Sequence, residues 1–251
     1  MEGKPRVNDC DARGLTPWDQ VNCYCERAGD PGFWAEPANA LTNAAFLLAA
    51  FMAWRALRAS GLAPAERALP LALILIIAAV GAGSFLFHSL ATVWSRTADV
   101  APIGLFIALY VFAAYRRLVG LSVFQAAPVA LIVVAATFAM PPWFNGSLGY
   151  APALAALMVT AALLRLRGHA AAGWMAGATA AFALSLLLRS IDRLGPVCGS
   201  VPAGTHWAWH VLNACVLYML MRALTGAGTG GAGRAAAGNK NPRVQSGRGS
   251  R

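Results

Sequence analysis

Long stretches without a charged residue constrain this chain more than any other feature. Residues 68–95 hold no Asp, Glu, Lys or Arg, and neither do residues 118–164. A helix needs about 20 apolar residues to cross the roughly 30 Å hydrocarbon core of a bilayer, so the first stretch holds one span and the second holds two. The turn-forming residues Pro141, Pro142 and Asn145 mark the break between those two. These stretches predict a polytopic α-helical membrane protein.

Seven spans result when the same length rule is applied to the whole chain. Only 12% of the residues are charged and 58% are hydrophobic, whereas a soluble domain carries about 25% charged residues. The apolar runs show no alternation of polar and apolar residues, and lipid accepts only helices or closed barrels. The prediction is therefore an all-α, seven-transmembrane helix bundle. The predicted spans lie near residues 38–58, 68–90, 97–116, 121–140, 148–167, 170–189 and 205–224.

The domain organisation follows from the same pattern. Residues 1–36 form a polar N-terminal segment, residues 37–225 form the seven-span domain, and residues 226–251 form a Gly-rich, basic tail that we expect to be disordered. The first apolar run begins near Phe33, behind a polar stretch too long for an ordinary signal peptide. We therefore expect the first span to be retained.

The positive charge is distributed unevenly over the predicted loops. The formal net charge of +10 could indicate a nucleic-acid partner, but 13 of the 20 Lys and Arg residues fall on the side of the C-terminus and seven on the side of the N-terminus. The positive-inside rule then places the N-terminus outside and the C-terminus in the cytoplasm. We expect an integral multi-pass membrane protein with no nucleic-acid partner.

Four of the five cysteines fall in the predicted outer segments, where disulfides are permitted. These are Cys10, Cys23, Cys25 and Cys198, whereas Cys215 lies within the last span. Cys23 and Cys25 form a single C-x-C pair with no second pair at zinc-finger spacing, so a structural zinc ribbon is not expected.

Three of the four histidines lie at the ends of predicted spans, where ionisable groups are costly without a partner or a function. His88 closes the second span, and Ser84 lies on the same helix face one turn earlier. His206 and His210 are four residues apart at the start of the last span, and Asp99 opens the third. The predicted topology places all five residues near the outer end of the bundle.

This residue set favours a catalytic zinc site. Three neutral histidines with an open fourth position are typical of catalytic zinc, which activates water for carbonyl hydrolysis. Asp99 could accept a proton and pass it to the leaving group, and Ser84 could hydrogen-bond the developing oxyanion. Two alternatives stay open: interfacial hydrogen bonding by separate histidines, and bis-histidine haem binding, which the i, i+4 pair would crowd.

A second polar cluster precedes the first span. Glu26, Glu36 and Asn39 supply carboxylate and amide oxygens, which suit a hard cation such as Ca²⁺. The same spacing is equally consistent with Glu36 and Asn39 capping the first helix.

Together the motifs resemble the alkaline ceramidases and, more broadly, the superfamily of seven-span metal hydrolases. The resemblance extends from about residue 20 to residue 224 and implies zinc ligation by three histidines with two catalytic partners. It implies hydrolysis of the amide of ceramide, or of a ceramide-like lipid, to a fatty acid and a sphingoid base. The motifs are Tyr24-Cys25-Glu26, Ala35-Glu36 through Asn43, Gly83-Ser84 through His88, Asp99, and His206-Trp-Ala-Trp-His210.

The resemblance also implies a calcium site near Glu26 and Glu36. Family members place an aspartate just before the aromatic-Cys-Glu motif, where this chain has Asn22 and Cys23, and Ala28 stands where an asparagine ligand is expected. The calcium ligands would then come from Asp19, Asn22, Cys23, Tyr24, Glu26 and Glu36.

Two other functions are consistent with the same residues. A related hydrolase acting on lipid esters would use the same metal site. A seven-span receptor or transporter could instead hold a structural zinc, with Asp99 as the fourth ligand.

Overall fold

A computed structural model of the chain describes residue 10 and residues 14–226. The predicted all-α class is confirmed, because 74% of the structure is helical and the described part contains no strand. The predicted disordered tail lies outside the described residues, apart from Gly226. The α-helices of the described part are α1 (Pro37–Thr42), α2 (Ala44–Arg58), α3 (Ala68–Leu90), α4 (Val93–Ala114), α5 (Val123–Ala139), α6 (Ala151–Leu166), α7 (Ala172–Ile191), α8 (Gly195–Ser200) and α9 (His206–Gly226).

Five helical segments are long and apolar enough to cross a membrane. Helix α5 is apolar but has only 17 residues. Helix α9 has 21 residues and is long enough, but its histidines and Asn213 make it more polar than the others. The described part of the chain thus contains five candidate spans where the sequence predicts seven. They are Pro37–Arg58, Pro64–Leu90, Val93–Val119, Ser147–Leu166 and Ala172–Ile191.

The long helices alternate in direction and share one apolar core. The core takes buried side chains from α2, α3, α4, α6, α7 and α9, with Ile77, Met175 and Met221 fully enclosed. Helix α9 packs against α2 and α7, whereas α5 packs on the outside of α4 and α6 and buries only three small side chains.

The α3–α4 hairpin brings two backbones into close contact. A Cβ atom at Gly83 would collide with the carbonyl group of Ala98. Only glycine at this position allows α4 to lie so close to α3. This close approach places Asp99 directly across from Ser84, the residue after Gly83.

Helix α4 begins four residues earlier than the predicted third span. Thr92 and Ser95 form a reciprocal capping box at its N-terminus, with Thr92 N–H donating to Ser95 Oγ at 3.0 Å. Arg96 lies in the first turn of this helix, and its side chain donates to the carbonyl of Cys10 at 2.9 Å. A local cap therefore decides the start of this helix rather than the nearest charge.

The N-terminal segment covers one end of the bundle, which we call the histidine end. An antiparallel bridge joins Gln20 to Thr92, and Val21 donates to the carbonyl of Ala91 at 2.7 Å. Two disulfides, Cys10–Cys23 and Cys25–Cys198, hold the segment to itself and to α8. The other end, with the loops at residues 59–67, 115–122 and 167–171, is called the opposite end.

Candidate metal centre

The three histidines predicted as ligands converge at the histidine end. His88, His206 and His210 are at most 2% exposed, and one ligand nitrogen from each ring lies within 4.8 Å of the others. Within the described residues this is the only group of three or more His, Cys, Asp or Glu side chains with such spacing. The geometry can hold a metal ion, although it does not identify the element.

Two helix termini and one carboxylate position these rings. His206 and His210 share a face of the first turns of α9, and His88 lies in the last turn of α3. Asp192 is fully buried and caps α9, since its Oδ1 accepts the N–H groups of Thr205 at 2.5 Å and His206 at 2.9 Å. The cap fixes where α9 begins and hence where both of its histidines point.

The rings of His88 and His210 are each oriented by a hydrogen bond at Nδ1, which turns the other ring nitrogen, Nε2, toward the cluster. His88 Nδ1 lies 2.6 Å from Glu36 Oε2 and donates to it. Thr42 Oγ1 already donates to the Ala38 carbonyl at 2.7 Å, so it accepts from His210 Nδ1 at 2.9 Å. Such partners fix the tautomer of a metal-binding histidine and leave the other nitrogen free to bind.

The free nitrogens are those that a metal would bind. His88 Nε2, His206 Nδ1 and His210 Nε2 are buried and have no hydrogen-bond partner. A buried polar atom without a partner costs about 1–3 kcal/mol, so three at one place need an explanation. A cation with imidazole ligands, such as Zn²⁺, satisfies all three, and the donor set therefore fits the predicted metal.

The aromatic ring of Tyr24 covers the cluster from the side of the N-terminal segment. It stacks on His206 with ring centroids 3.7 Å apart and lies 5.1 Å from His88. Tyr24 also interacts with the charge of Arg189, whose guanidinium lies over the rings of Tyr150 and Trp209. Burial raises the pKa of Tyr24, so the phenol stays protonated.

The two predicted catalytic partners are also brought to the cluster. Ser84 and Asp99 are 2% and 8% exposed, and the Asp99 carboxylate lies close enough to the Ser84 hydroxyl and to His88 to interact with both. Ser84 lies one helical turn before His88 on the same face of α3. The close α3–α4 contact at Gly83 thus completes a set of three imidazoles, one hydroxyl and one carboxylate.

The carboxylates predicted for calcium have protein partners. Glu26 accepts the N–H groups of Ala38 at 2.7 Å and Asn39 at 2.8 Å, so it caps α1. The prediction that Glu36 and Asn39 cap this helix is wrong, because the Glu36 side chain turns instead to Arg27 and His88. Burial raises the pKa of Glu36, but the His88 ring and the Arg27 guanidinium outweigh it and hold that pKa below its usual range.

The remaining residues of the predicted calcium site are spread over other contacts. Asp19 accepts the N–H group of Thr16, Cys23 is disulfide-bonded, and Tyr24 stacks on the cluster. Only Asn22 has a buried amide without a partner. The structure therefore gives no support for calcium at these six residues.

Sequence reasoning missed two residues that organise this end. Arg27 is 3% exposed and ion-paired to Glu36, but its position in a loop gave it the appearance of a solvated charge. Asp192 carried a readable signal, since it is the only acidic residue in the chain after Asp99 and precedes the predicted last span. A lone acid ahead of two intramembrane histidines is a candidate cap.

An apolar cavity begins about one helical turn beyond the cluster. Its wall includes Val80, four residues before Ser84; Ile103, four after Asp99; and Asn213, three after His210. The cavity thus continues from the cluster along three helices at once. Its deeper wall is formed by Phe106, Tyr110, Leu157, Phe182 and Leu220.

No family model matches this chain, and no curated protein resembles it at a significant level.

Proposed function

We propose that this chain is a zinc-dependent membrane amidohydrolase that cleaves ceramide, or a ceramide-like lipid, to a fatty acid and a sphingoid base. One observation carries the proposal: three buried imidazoles offer ligand nitrogens within 4.8 Å of one another, each ring has a buried nitrogen without a hydrogen-bond partner, and Ser84 and Asp99 lie beside them. The motif resemblance to alkaline ceramidases names the substrate class. The apolar cavity beside the cluster is consistent with a lipid substrate.

The roles of the side chains follow from their contacts. Bound zinc would polarise the amide carbonyl and make water more acidic. Asp99, which lies beside Ser84, would accept a proton from the attacking water and deliver it to the amine leaving group. The Ser84 hydroxyl has one proton, which it can donate in a hydrogen bond to Asp99 or, after rotation about χ1, to the developing oxyanion.

The cavity would bind an alkyl chain of the lipid. Its lining is almost entirely apolar, and it extends from the cluster toward the opposite end. An amide at the cluster would therefore have its hydrocarbon chain between the helices. This arrangement favours lateral entry of substrate from the membrane over entry from water.

We also propose that all seven long helices span the membrane, with the N-terminus outside. The 17 residues of α5 are at the lower limit of about 17–25 for a span, and α9 is long enough but carries the polar ligands. Disulfides persist in oxidising compartments, so the two at the histidine end support an outward orientation for that end. The excess of Arg and Lys on the other side supports it too.

Purified protein in detergent micelles tests the proposal. His210→Ala should lose bound zinc and lower release of the sphingoid base by a factor of about 10³ or more, because the ligand set is incomplete. His169→Ala is the matched control, since His169 lies in the loop between α6 and α7, far from the cluster in the fold, and its ring accepts the N–H of Ala171. Turnover by His210→Ala without bound metal would contradict the proposal.

A lipid-ester hydrolase is the second candidate, because the same residues and the same cavity suit either bond. Matched amide and ester lipids with identical chains distinguish the two. Faster turnover of the amide supports the ceramidase-like activity, and hydrolysis of the ester alone assigns the second function.

A further inference from the structure

The buried side chain of Arg27 joins the N-terminal segment to α3, the helix that carries His88. Its Nε donates to Glu36 Oε1 at 2.7 Å, and its Nη1 donates to the carbonyls of Asp30 at 3.0 Å and Gly32 at 3.2 Å. Its Nη2 donates to the carbonyl of His88 at 2.8 Å. One planar group thus binds three separate segments, a geometry for which the guanidinium is better suited than an ammonium.

The contacts of Arg27 form a chain that ends at the metal cluster. Glu36 uses one oxygen for Arg27 and the other for His88 Nδ1, so the carboxylate is held between a cation and a ligand. Both Arg27 and Glu36 are at most 3% exposed. A buried carboxylate needs an opposite charge close by, and Arg27 supplies it.

Arg27 also satisfies the end of α3. The last carbonyls of a helix have no partner within the helix and carry partial negative charge. Arg27 reaches the His88 carbonyl and, at 3.5 Å, the Ser89 carbonyl. The same guanidinium therefore holds the backbone of His88 and, through Glu36, its ring.

We propose that Arg27 is a positioning residue for the metal and a built-in substitute for a divalent cation in the N-terminal segment. It fixes Glu36, which turns His88 so that Nε2 faces the cluster. The Glu36 carboxylate is neutralised from within the protein, and metal binding is therefore independent of calcium. The inference rests on the metal site of the proposed function, but not on the reaction.

Zinc affinity, measured in purified protein by competition with a chromophoric chelator, tests this inference. Arg27→Gln and Glu36→Gln should each weaken zinc binding about 10–100-fold, as loss of an outer-shell partner does. Because Arg27 positions the His88 ring through Glu36, Arg27→Gln should weaken zinc binding less when Glu36 is already Gln than when Glu36 is present. Millimolar Ca²⁺ or its removal by a calcium-selective chelator should leave the wild-type zinc affinity unchanged.

Two further variants separate positioning from general stability. Arg96→Gln removes another arginine that anchors the N-terminal segment, through the Cys10 carbonyl, but does not contact Glu36. It should keep wild-type zinc affinity. Arg27→Lys keeps the positive charge but loses the planar set of N–H donors, so this variant should bind zinc more tightly than Arg27→Gln. If Arg27→Gln does not fold, Arg27→Lys takes its place in the measurements with and without Glu36→Gln.

Three results would overturn the inference: wild-type zinc affinity in Arg27→Gln, additive effects of the two substitutions, or tighter zinc binding when Ca²⁺ is added. Failure of the wild-type protein to bind zinc would overturn the proposed function and this inference together. Zinc binding without lipid turnover would contradict the proposed activity and leave the role of Arg27 supported.

Discussion

The two ends of the helix bundle bury their polar side chains in different ways. At the opposite end, Ser60, Thr160 and Thr225 each donate to a carbonyl three or four residues earlier in the same stretch of chain. At the histidine end, Glu36 and Asp192 instead bind groups from distant parts of the sequence. Local bonds can be lost one at a time, whereas the long-range bonds depend on one another.

The arginines show the same contrast. At the opposite end, Arg116 and Arg167 are exposed and donate to the loop carbonyls of Leu121 and Val119. Arg27 at the histidine end is buried between a carboxylate and the end of a helix. The opposite end thus keeps these two arginines at the surface, whereas the histidine end buries one within a network of ion pairs and hydrogen bonds.

The largest effect is expected from Asp99→Asn, which removes the proton acceptor but keeps the side-chain shape. Turnover should fall by a factor of about 10²–10⁴, the usual contribution of a general acid–base group. Bound zinc, measured by elemental analysis of the same preparation, should be unchanged. Loss of zinc together with turnover would instead make Asp99 a fourth ligand and favour a structural metal.

Removing the Cys25–Cys198 disulfide should be the next largest change. This bond joins residues 173 apart, so the double variant Cys25→Ser, Cys198→Ser should lose about 2–4 kcal/mol of unfolding free energy. The Cys10–Cys23 bond closes a separation of only 13 residues, and its double variant should lose less. Thermal unfolding of both variants gives the order, and an equal loss would argue against the loop-length explanation.

A smaller difference is expected between two glycine-to-alanine substitutions. Gly83→Ala puts a methyl group against the Ala98 carbonyl and should cost about 1–3 kcal/mol, as overpacking does. Gly173→Ala, at the opposite end, meets open space and should be neutral or stabilising by up to about 1 kcal/mol. Both are measured by thermal unfolding. Gly83→Ala should also lower turnover, because the added methyl group moves Asp99 on α4 away from α3. Gly173→Ala should leave turnover unchanged.

The smallest effect is expected from Arg167→Ala at the opposite end. Its side chain is exposed and donates to the loop carbonyl of Val119, so the unfolding free energy should change by no more than about 0.5 kcal/mol. Zinc content and turnover should equal those of the wild-type protein. A loss of zinc here would mean that the two ends are coupled through the bundle.

The sequence predicts the helices and the three imidazoles well because both depend on short-range patterns. Apolar length defines the spans, and the i, i+4 spacing of His206 and His210 places them on one face. The convergence of His88 with that pair is a long-range contact, and it followed from the predicted alternation of the spans. The structure brings these rings together as expected.

The residues that sequence reasoning missed owe their roles to tertiary contacts. Arg27 acts on the end of α3, 61 residues away, and neither the spacing nor the local composition indicates that partner. The lone acid Asp192 could have been read as a cap of the following helix, but not as a partner of the distant Cys25 N–H. The same holds for Glu26, which caps a helix that begins more than ten residues later. Patterns of hydropathy say which residues are costly to bury but not which groups satisfy them.

The position of the histidines along the chain has a consequence for biosynthesis. Two of the three imidazoles belong to α9, so a nascent chain that has completed α3 and α4 still has no metal site. The site forms only after α9 has been synthesised and has docked between α2 and α7. On the proposed function, metal capture would therefore report completed assembly, and a ribosome-bound intermediate that lacks α9 would be inert toward lipid.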